Sequence, residues 1–202
     1  MSAPWEEAAL ALRRGELVIY PTETFYALGC LATLPKAVER VFYLKDRPLD
    51  KPLPLILADW DMVARFTRLD QAALALAQVF WPGPLSIVTP VVAAVCSLAK
   101  DGFGRSAVRM TPHPLARALC RAAGAPLVSS SANKSGQAAV ADPHVLDVEL
   151  AQSVLVLDAR PWPEGRAPST LVELVDADTV RILRPGALSR EDFVRHGYVV
   201  AM

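Results

Sequence analysis

Leu17-Val18-Ile19-Tyr20-Pro21-Thr22-Glu23-Thr24 sets the pattern on which the rest of the chain is read. Four apolar residues rich in β-formers are stopped by a proline, so the run reads as a strand that delivers the chain into a short polar loop. The same pattern, an apolar strand ending in polar residues, recurs outward from here. Leu53 to Ala58, Leu85 to Val92, Ser106 to Met110 and Leu127 to Ser130 read as strands, as do Val154 to Asp158, Thr170 to Leu174 and Val180 to Leu183. Helical spacing of apolar residues marks Met1 to Gly15, Pro35 to Lys45, Trp60 to Thr67, Asp70 to Phe80 and Pro114 to Ala123, and more weakly Pro143 to Ala151. A last short helix opens near Ser189, where Ser-Arg-Glu-Asp resembles a capping box lacking its Glu or Gln. Several neighbouring strands have no helix between them, so the pattern predicts an α/β fold with a mixed parallel and antiparallel sheet flanked by helices.

Composition narrows the function. With 202 residues, 52% of them hydrophobic and 21% charged, the expectation is one globular domain over residues 1–202. Lys plus Arg number 21 and Asp plus Glu 21, so the formal net charge is +0, well short of the basic excess of a protein built to grip nucleic acid. Any anion site must therefore be local. The longest apolar tract, Pro84 to Ala99, is interrupted by Ser86, Thr89, Pro90 and Ser97 and predicts no membrane span, and the amino-terminal pattern lacks the order of a signal peptide; a cytoplasmic protein is expected. Cys30, Cys96 and Cys120 are odd in number and widely spaced, which reads as three buried thiols.

Four loops carry the polar groups a site would need: Pro21 to Thr24, Lys45 to Pro52, Ser129 to Gly136 and Leu183 to Gly186. Lys45, Arg47 and Lys51 share one proline-bounded stretch, while Arg109 and Arg184 each end an apolar strand. Rigid loops at strand ends are where α/β sheets bind ligands, and guanidinium and ammonium groups suit phosphate and carboxylate. The five charges could equally decorate a solvated surface, and the Ser/Asn/Gly loop could be an ordinary turn. Three lures are set aside. Gly102-Phe103-Gly104-Arg105-Ser106-Ala107 mimics a dinucleotide loop but runs into a strand, and Ser131-Ala132-Asn133-Lys134 mimics an acyl-enzyme signature without its partner motifs. His113, His144 and His196 lack metal spacing, and His113, between two prolines, reads as a turn or helix-entry residue rather than a base. No Walker A sequence is present.

Taken together, Tyr20-Pro21-Thr22-Glu23-Thr24-Phe25-Tyr26-Ala27-Leu28-Gly29-Cys30, Lys45-x-Arg47-Pro48-x-x-Lys51-Pro52-Leu53 and Trp81-Pro82-Gly83-Pro84 resemble the YrdC/Sua5 family of threonylcarbamoyl-AMP synthases. So do Ala107-Val108-Arg109-Met110 with His113-Pro114, Ser131-Ala132-Asn133-x-Ser135-Gly136, Ser169-Thr170-Leu171-Val172 and Leu183-Arg184-Pro185-Gly186, all in the family's order from about Leu17 to Ser189. The resemblance implies a YrdC-like fold whose open, twisted sheet has a concave cationic cavity for ATP and L-threonine. It implies a nucleotidyltransferase that joins L-threonine, bicarbonate and ATP into threonylcarbamoyl-AMP and pyrophosphate, for a downstream transferase complex that modifies tRNA. Thr24, Arg109, Ser129 and Thr170 would hold threonine; Lys45, Arg47, Lys51, Ser131, Asn133 and Arg184 would face the nucleotide, with Lys45, Arg47 and Arg109 serving the chemistry. Mg²⁺ would be held mainly by phosphate oxygens and water, with no protein metal site. The chain departs from the family at Ala27, where Gly is usual; at Ile56, where long-form members carry a threonine-holding His; and at Arg105 and Ala139, where nucleotide-contacting Ser or Thr is common. The resemblance implies the family's short, single-domain type, without the long form's extra carboxy-terminal domain. A module of another class, a non-catalytic nucleotide or RNA binder using the same hollow, is the competing reading, and weak RNA binding fits either.

Overall fold

The computed structural model describes residues 3–201, so Met1 and Ser2 of the expected opening helix lie outside the described residues. In chain order the elements are α1 (Pro4–Arg13), β1 (Val18–Pro21), β2 (Tyr26–Gly29), α2 (Pro35–Leu44), β3 (Leu55–Leu57), α3 (Trp60–Phe66), α4 (Gln71–Phe80), β4 (Leu85–Pro90) and β5 (Arg105–Met110). There follow α5 (Pro114–Ala123), β6 (Leu127–Val128), β7 (Ser130–Ser131), α6 (Val148–Ser153), β8 (Leu155–Val156), β9 (Thr170–Leu174), β10 (Thr179–Arg184), α7 (Arg190–Arg195) and β11 (Val199–Ala201).

The strands form two sheets rather than the one expected: β7-β2-β1-β8, and β11-β10-β9-β4-β5-β3-β6. Both mix directions, with β1–β8, β3–β5, β4–β9 and β10–β11 parallel and the remaining neighbours antiparallel. The segment read as one strand, Leu127 to Ser130, is the reason for the split. It pairs through Leu127 and Val128 with β3 in the large sheet, then through Ser130 and Ser131 with β2 in the small one, and Ser129 is the crossing residue. A side-chain period of two cannot be kept across such a crossing, so the apolar pattern ends at Val128 and polar residues take over.

Local chemistry fixes the helices that flank the sheets. Asp59 and Asp70 cap α3 and α4 by accepting from Met62 N (3.1 Å) and Ala73 N (2.8 Å), satisfying amide groups that would otherwise lack partners. At α7 the capping box is complete after all, because Asp192 accepts from Ser189 N at 2.8 Å while Ser189 Oγ accepts from Asp192 N. Its carboxylate does the work reserved for Glu or Gln in the simpler rule. His113 opens α5 as expected: its Nδ1 accepts from Ala116 N, and burial holds its pKa below the ordinary histidine value. The core is continuous, drawing Leu12, Ile19, Leu28, Val41, Ile56, Leu76, Val108, Leu119 and Phe193 into one apolar cluster, and the three cysteines are free and buried in or beside it. No helix among the described residues is long and apolar enough to cross a membrane.

Close approach between the sheets requires glycine at one point. A Cβ on Gly29 would lie 2.0 Å from the Val128 carbonyl oxygen and 2.8 Å from Tyr20 Cε1. The bare backbone there lets β2 lie against the crossing segment, and Tyr20 fastens the same carbonyl by donating from its hydroxyl at 2.7 Å.

Candidate active site

The seam between the sheets opens into a polar hollow of about 180 Å³. The small sheet supplies Thr24 from the β1–β2 loop and Ala27 from β2, the crossing segment supplies Ser129 to Ser131, and the large sheet supplies Arg109, Ser169 and Arg184. Arg47 reaches in from the loop after α2. A second hollow of about 230 Å³, lined by Lys45, Lys51, Asn133 and Gly136 among others, shares Arg47, Ser130 and Ser131 with the first. All five cations singled out in the sequence thus gather around two adjoining cavities.

Strand alternation explains how Arg109 gets there. On β5, Val108 and Met110 face the core, so Arg109 between them faces the opposite side, the side shared with Ser169 and Leu171 around β9. Its Nε stands 2.9 Å from Glu23 Oε1, in a pair whose side chains are only 6% and 13% exposed. Neither atom has a well-directed hydrogen-bond partner, so this is a charge contact rather than an aligned hydrogen bond. Arg109 Nη1 also reaches Ser169 Oγ at 3.4 Å, and Arg184 Nη2 donates to Ser169 O (2.7 Å) and Oγ (3.1 Å). Burial, then the positive charges of Arg109 and Arg47, push the Arg184 pKa below the ordinary arginine value. Arg47, Arg109 and Arg184 all border this hollow, with Glu23 against Arg109 alone and outside the hollow, an arrangement suited to an anion.

Lys45 ends α2, and the chain turns away immediately after it at Asp46, whose φ is 49°. Its ammonium group donates to the carbonyls of Ser131 and Asn133, while its own carbonyl accepts from Ser135 N at 3.0 Å. The helix end therefore grips the Ser/Asn/Gly loop at three backbone points, making that loop more than an ordinary turn. Burial, with Arg47 adding to it, brings the Lys45 pKa down to about 8. Arg47 is fixed by donating to the carbonyls of Lys51 (3.1 Å) and Pro52 (3.0 Å). Asn133 donates from Nδ2 to the carbonyls of Lys134 and Gln137, and its Oδ1 is buried without a partner. Ser129 Oγ is also buried without a partner, and Ser129 borders the first hollow.

Thr24 is buried beside Thr22, which accepts from Phe25 N (3.3 Å) and donates to Phe25 O (2.6 Å). These bonds shape the tight loop that presents Thr24 to the cavity. Thr170 does not reach the cavity. It is fully buried, and its hydroxyl donates to Leu188 O and accepts from Leu188 N, both at 2.8 Å. Its neighbour Ser169, one residue away and hence on the opposite face, borders the hollow instead. Ser169 and Thr22 also border the first hollow, while Glu23 meets Arg109 from outside it; alternation along Ser169-Thr170-Leu171-Val172 is the signal in the sequence for the first.

Of the departures, Ala27 does not adopt a positive φ and contributes to the first cavity without strain. Ala139 also borders that cavity, offering a methyl group where a hydroxyl is usual. Ile56 is wholly buried beside Arg109 in the β3–β5 register. Arg105 turns to Asp101 (2.8 Å) and Glu173 (3.9 Å) rather than to either cavity. The dinucleotide lure is a hairpin turn in which Asp101 Oδ1 accepts from Phe103 N and Arg105 N, and Lys134 of the acyl-enzyme lure pairs with Glu149.

Gly186 shows how tightly the last arginine loop is seated. A Cβ there would fall 2.3 Å from Pro168 O, 2.6 Å from Ser169 C and 2.6 Å from Thr170 N, all backbone. Gly186→Ala is expected to cost about 1–3 kcal/mol of stability and to shift Ser169 against Arg184; urea unfolding, with the slope unchanged, measures the first effect.

The Sua5/YciO/YrdC family model, described as "Telomere recombination", matches residues 10–186. A threonylcarbamoyl-AMP synthase of Vibrio campbellii is 34% identical over 185 residues, covering 90% of this chain and 98% of that protein. One from Vibrio vulnificus is 36% identical over 184 residues, covering 90% and 97%. Among solved structures, P. abyssi Sua5 complexed with L-threonine superposes with a TM-score of 0.86 at 30% identity, covering 100% of this chain and 60% of that one. E. coli YciO superposes with a TM-score of 0.82 at 25% identity, covering 94% and 92%. Matched along most of its length in sequence and in fold, with its arginines and serines gathered at one seam, the chain belongs to the Sua5/YciO/YrdC family.

Proposed function

We propose that this chain is a threonylcarbamoyl-AMP synthase, a nucleotidyltransferase that joins L-threonine, bicarbonate and ATP and releases pyrophosphate. The observation that carries this reading is the pair of adjoining cavities, one small and ringed by Arg109, Ser129 and Arg184, the other lined by Lys45 and Lys51, with Arg47 common to both. The first suits an amino acid carboxylate and hydroxyl, the second a polyphosphate. The names borne by the Vibrio relatives and the threonine bound to P. abyssi Sua5 support the same assignment.

In this reading Arg109 pairs with the threonine carboxylate, and Thr24, Ser129 and Ser169 satisfy the remaining polar groups of the amino acid. Lys45, Arg47, Lys51, Ser131, Asn133 and Arg184 face the nucleotide. The threonine amine condenses with bicarbonate, losing water, to give a carbamate. A carbamate oxygen then attacks the α-phosphorus in line, forming the new P–O bond as the bond to the β-phosphate bridging oxygen breaks and pyrophosphate leaves. Negative charge grows on the leaving group, so the step needs fixed cations and alignment more than a protein nucleophile.

Among the described residues no three His, Cys, Asp or Glu side chains converge as metal ligands, and the cavities present cations and hydroxyls. The residues present do not fit a protein-held Mg²⁺; it belongs with the triphosphate as part of the substrate. The product passes to a tRNA-modifying transferase.

Pyrophosphate release from ATP is expected only when L-threonine and bicarbonate are both supplied. Release that ignores either cosubstrate, or ATP binding without any turnover, returns the choice to the non-catalytic nucleotide binder.

A further inference from the structure

We propose that Glu23, braced by Thr111, is a positioning residue that aims the terminal nitrogens of Arg109 at the amino acid. The inference rests on the synthase reading above and adds a residue to it. Arg109 borders the first hollow, but Glu23 does not; Glu23 borders a different cavity, lined also by Pro112, Glu164 and Arg166. Glu23 therefore lies behind the guanidinium as seen from the substrate and acts through it.

The geometry divides the fork of Arg109 between two duties. Nε lies 2.9 Å from Glu23 Oε1 as a charge contact, and the other carboxylate oxygen, Oε2, accepts from Thr111 Oγ1 at 2.7 Å across 88 residues of sequence. Thr111 in turn is fixed by accepting from His113 N at 3.2 Å. The loop bearing Glu23 is strapped from outside, where Glu164 N and Gly165 N donate to the carbonyls of Glu23 (3.3 Å) and Thr24 (2.9 Å). With Nε held against Glu23, Nη1 reaches Ser169 Oγ at 3.4 Å and the side chain borders the hollow. A second force makes this tether necessary: Arg184 meets the same Ser169 hydroxyl, and repulsion between the two guanidinium groups would otherwise drive Arg109 off its line. Pure structural stability is a weak reason to keep such a pair, since desolvating two charges costs much of what their attraction returns.

The test uses Glu23→Gln, which keeps shape and removes charge, Thr111→Val, which removes only the brace, and Arg109→Lys, which has no fork to orient. Calorimetric binding of L-threonine and steady-state KM for threonine and for ATP are measured on each. Glu23→Gln is expected to raise the threonine Kd and KM about tenfold or more with the ATP KM held near wild type, and Thr111→Val to raise them less in the same direction. In the Arg109→Lys background Glu23→Gln adds little, because the group it positions is gone. Unchanged threonine Kd in Glu23→Gln, an equal loss for both substrates, or full additivity with Arg109→Lys overturns the proposal. Should Glu23→Gln fail to fold, Thr111→Val decides it alone, an unchanged threonine Kd counting against. The wild-type protein is the control for the synthase reading: if it neither binds threonine nor turns over, that reading fails, whereas variant-to-wild-type ratios judge Glu23.

Discussion

Arg109→Ala is expected to lower kcat/KM for L-threonine by about 10²–10³-fold or more, the loss that follows when one partner of a buried charged contact is removed. Stability suffers as well, because the Glu23 carboxylate, 13% exposed, keeps only Thr111 and loses its opposite charge. The two losses separate in the double variant Arg109→Ala with Glu23→Gln. Neutralising the abandoned carboxylate restores much of the thermal midpoint, while threonine-dependent pyrophosphate release stays absent. Recovery of turnover along with stability would show that Arg109 serves the fold and that something else holds threonine. Retained threonine affinity in Arg109→Ala would say the same by a direct route.

Arg109 is visible in the sequence because it stands at the end of an apolar strand, where α/β sheets present groups to ligands. Its carboxylate partner is not, since nothing in the local pattern ties residue 23 to residue 109. The same divide runs through the fold. Helices with strong local signals lie within a residue or so of where the pattern puts them, as at Pro35–Leu44 and Pro114–Ala123. Strands whose existence depends on distant partners escape the local pattern or merge in it: neither Tyr26–Gly29 nor the three-residue Val199–Ala201 carries a strand signal strong enough to be assigned. Leu127 to Ser130 reads as one strand because sequence periodicity carries no information on which sheet a residue joins. The resemblance points to Thr170, and the sequence alone cannot move that role to Ser169, for a related reason. Both are hydroxyl residues, and only the strand's register decides which of them faces the cavity.

Lys45 is the second residue on which turnover should depend steeply. Its ammonium group clamps the carbonyls of Ser131 and Asn133 and is the one buried lysine bordering the second hollow among the described residues. Lys45→Met, which keeps the stem and deletes the charge, is expected to cost about 10²-fold or more in kcat/KM for ATP, since it removes a phosphate-facing charge and strands two buried carbonyls. The same residue gives a pH signature. Because burial and Arg47 bring its pKa to about 8, the free protein loses this charge as pH rises through about 8, so kcat/KM for ATP should fall on the alkaline side with an apparent pKa near that value. The bound triphosphate favours the charged form, so the corresponding limb in kcat lies at higher pH. Stability moves the opposite way. The native lysine sheds its proton at lower pH than the unfolded one, so between about 8 and the ordinary lysine value the unfolded state binds more protons and the native state gains on it as pH rises. Activity that falls while stability holds or climbs across that interval is the expected pairing, and in Lys45→Arg, which keeps its charge throughout, the alkaline limb in kcat/KM should vanish. A limb that persists unchanged in Lys45→Arg would assign the titration to another group and free Lys45 of this role.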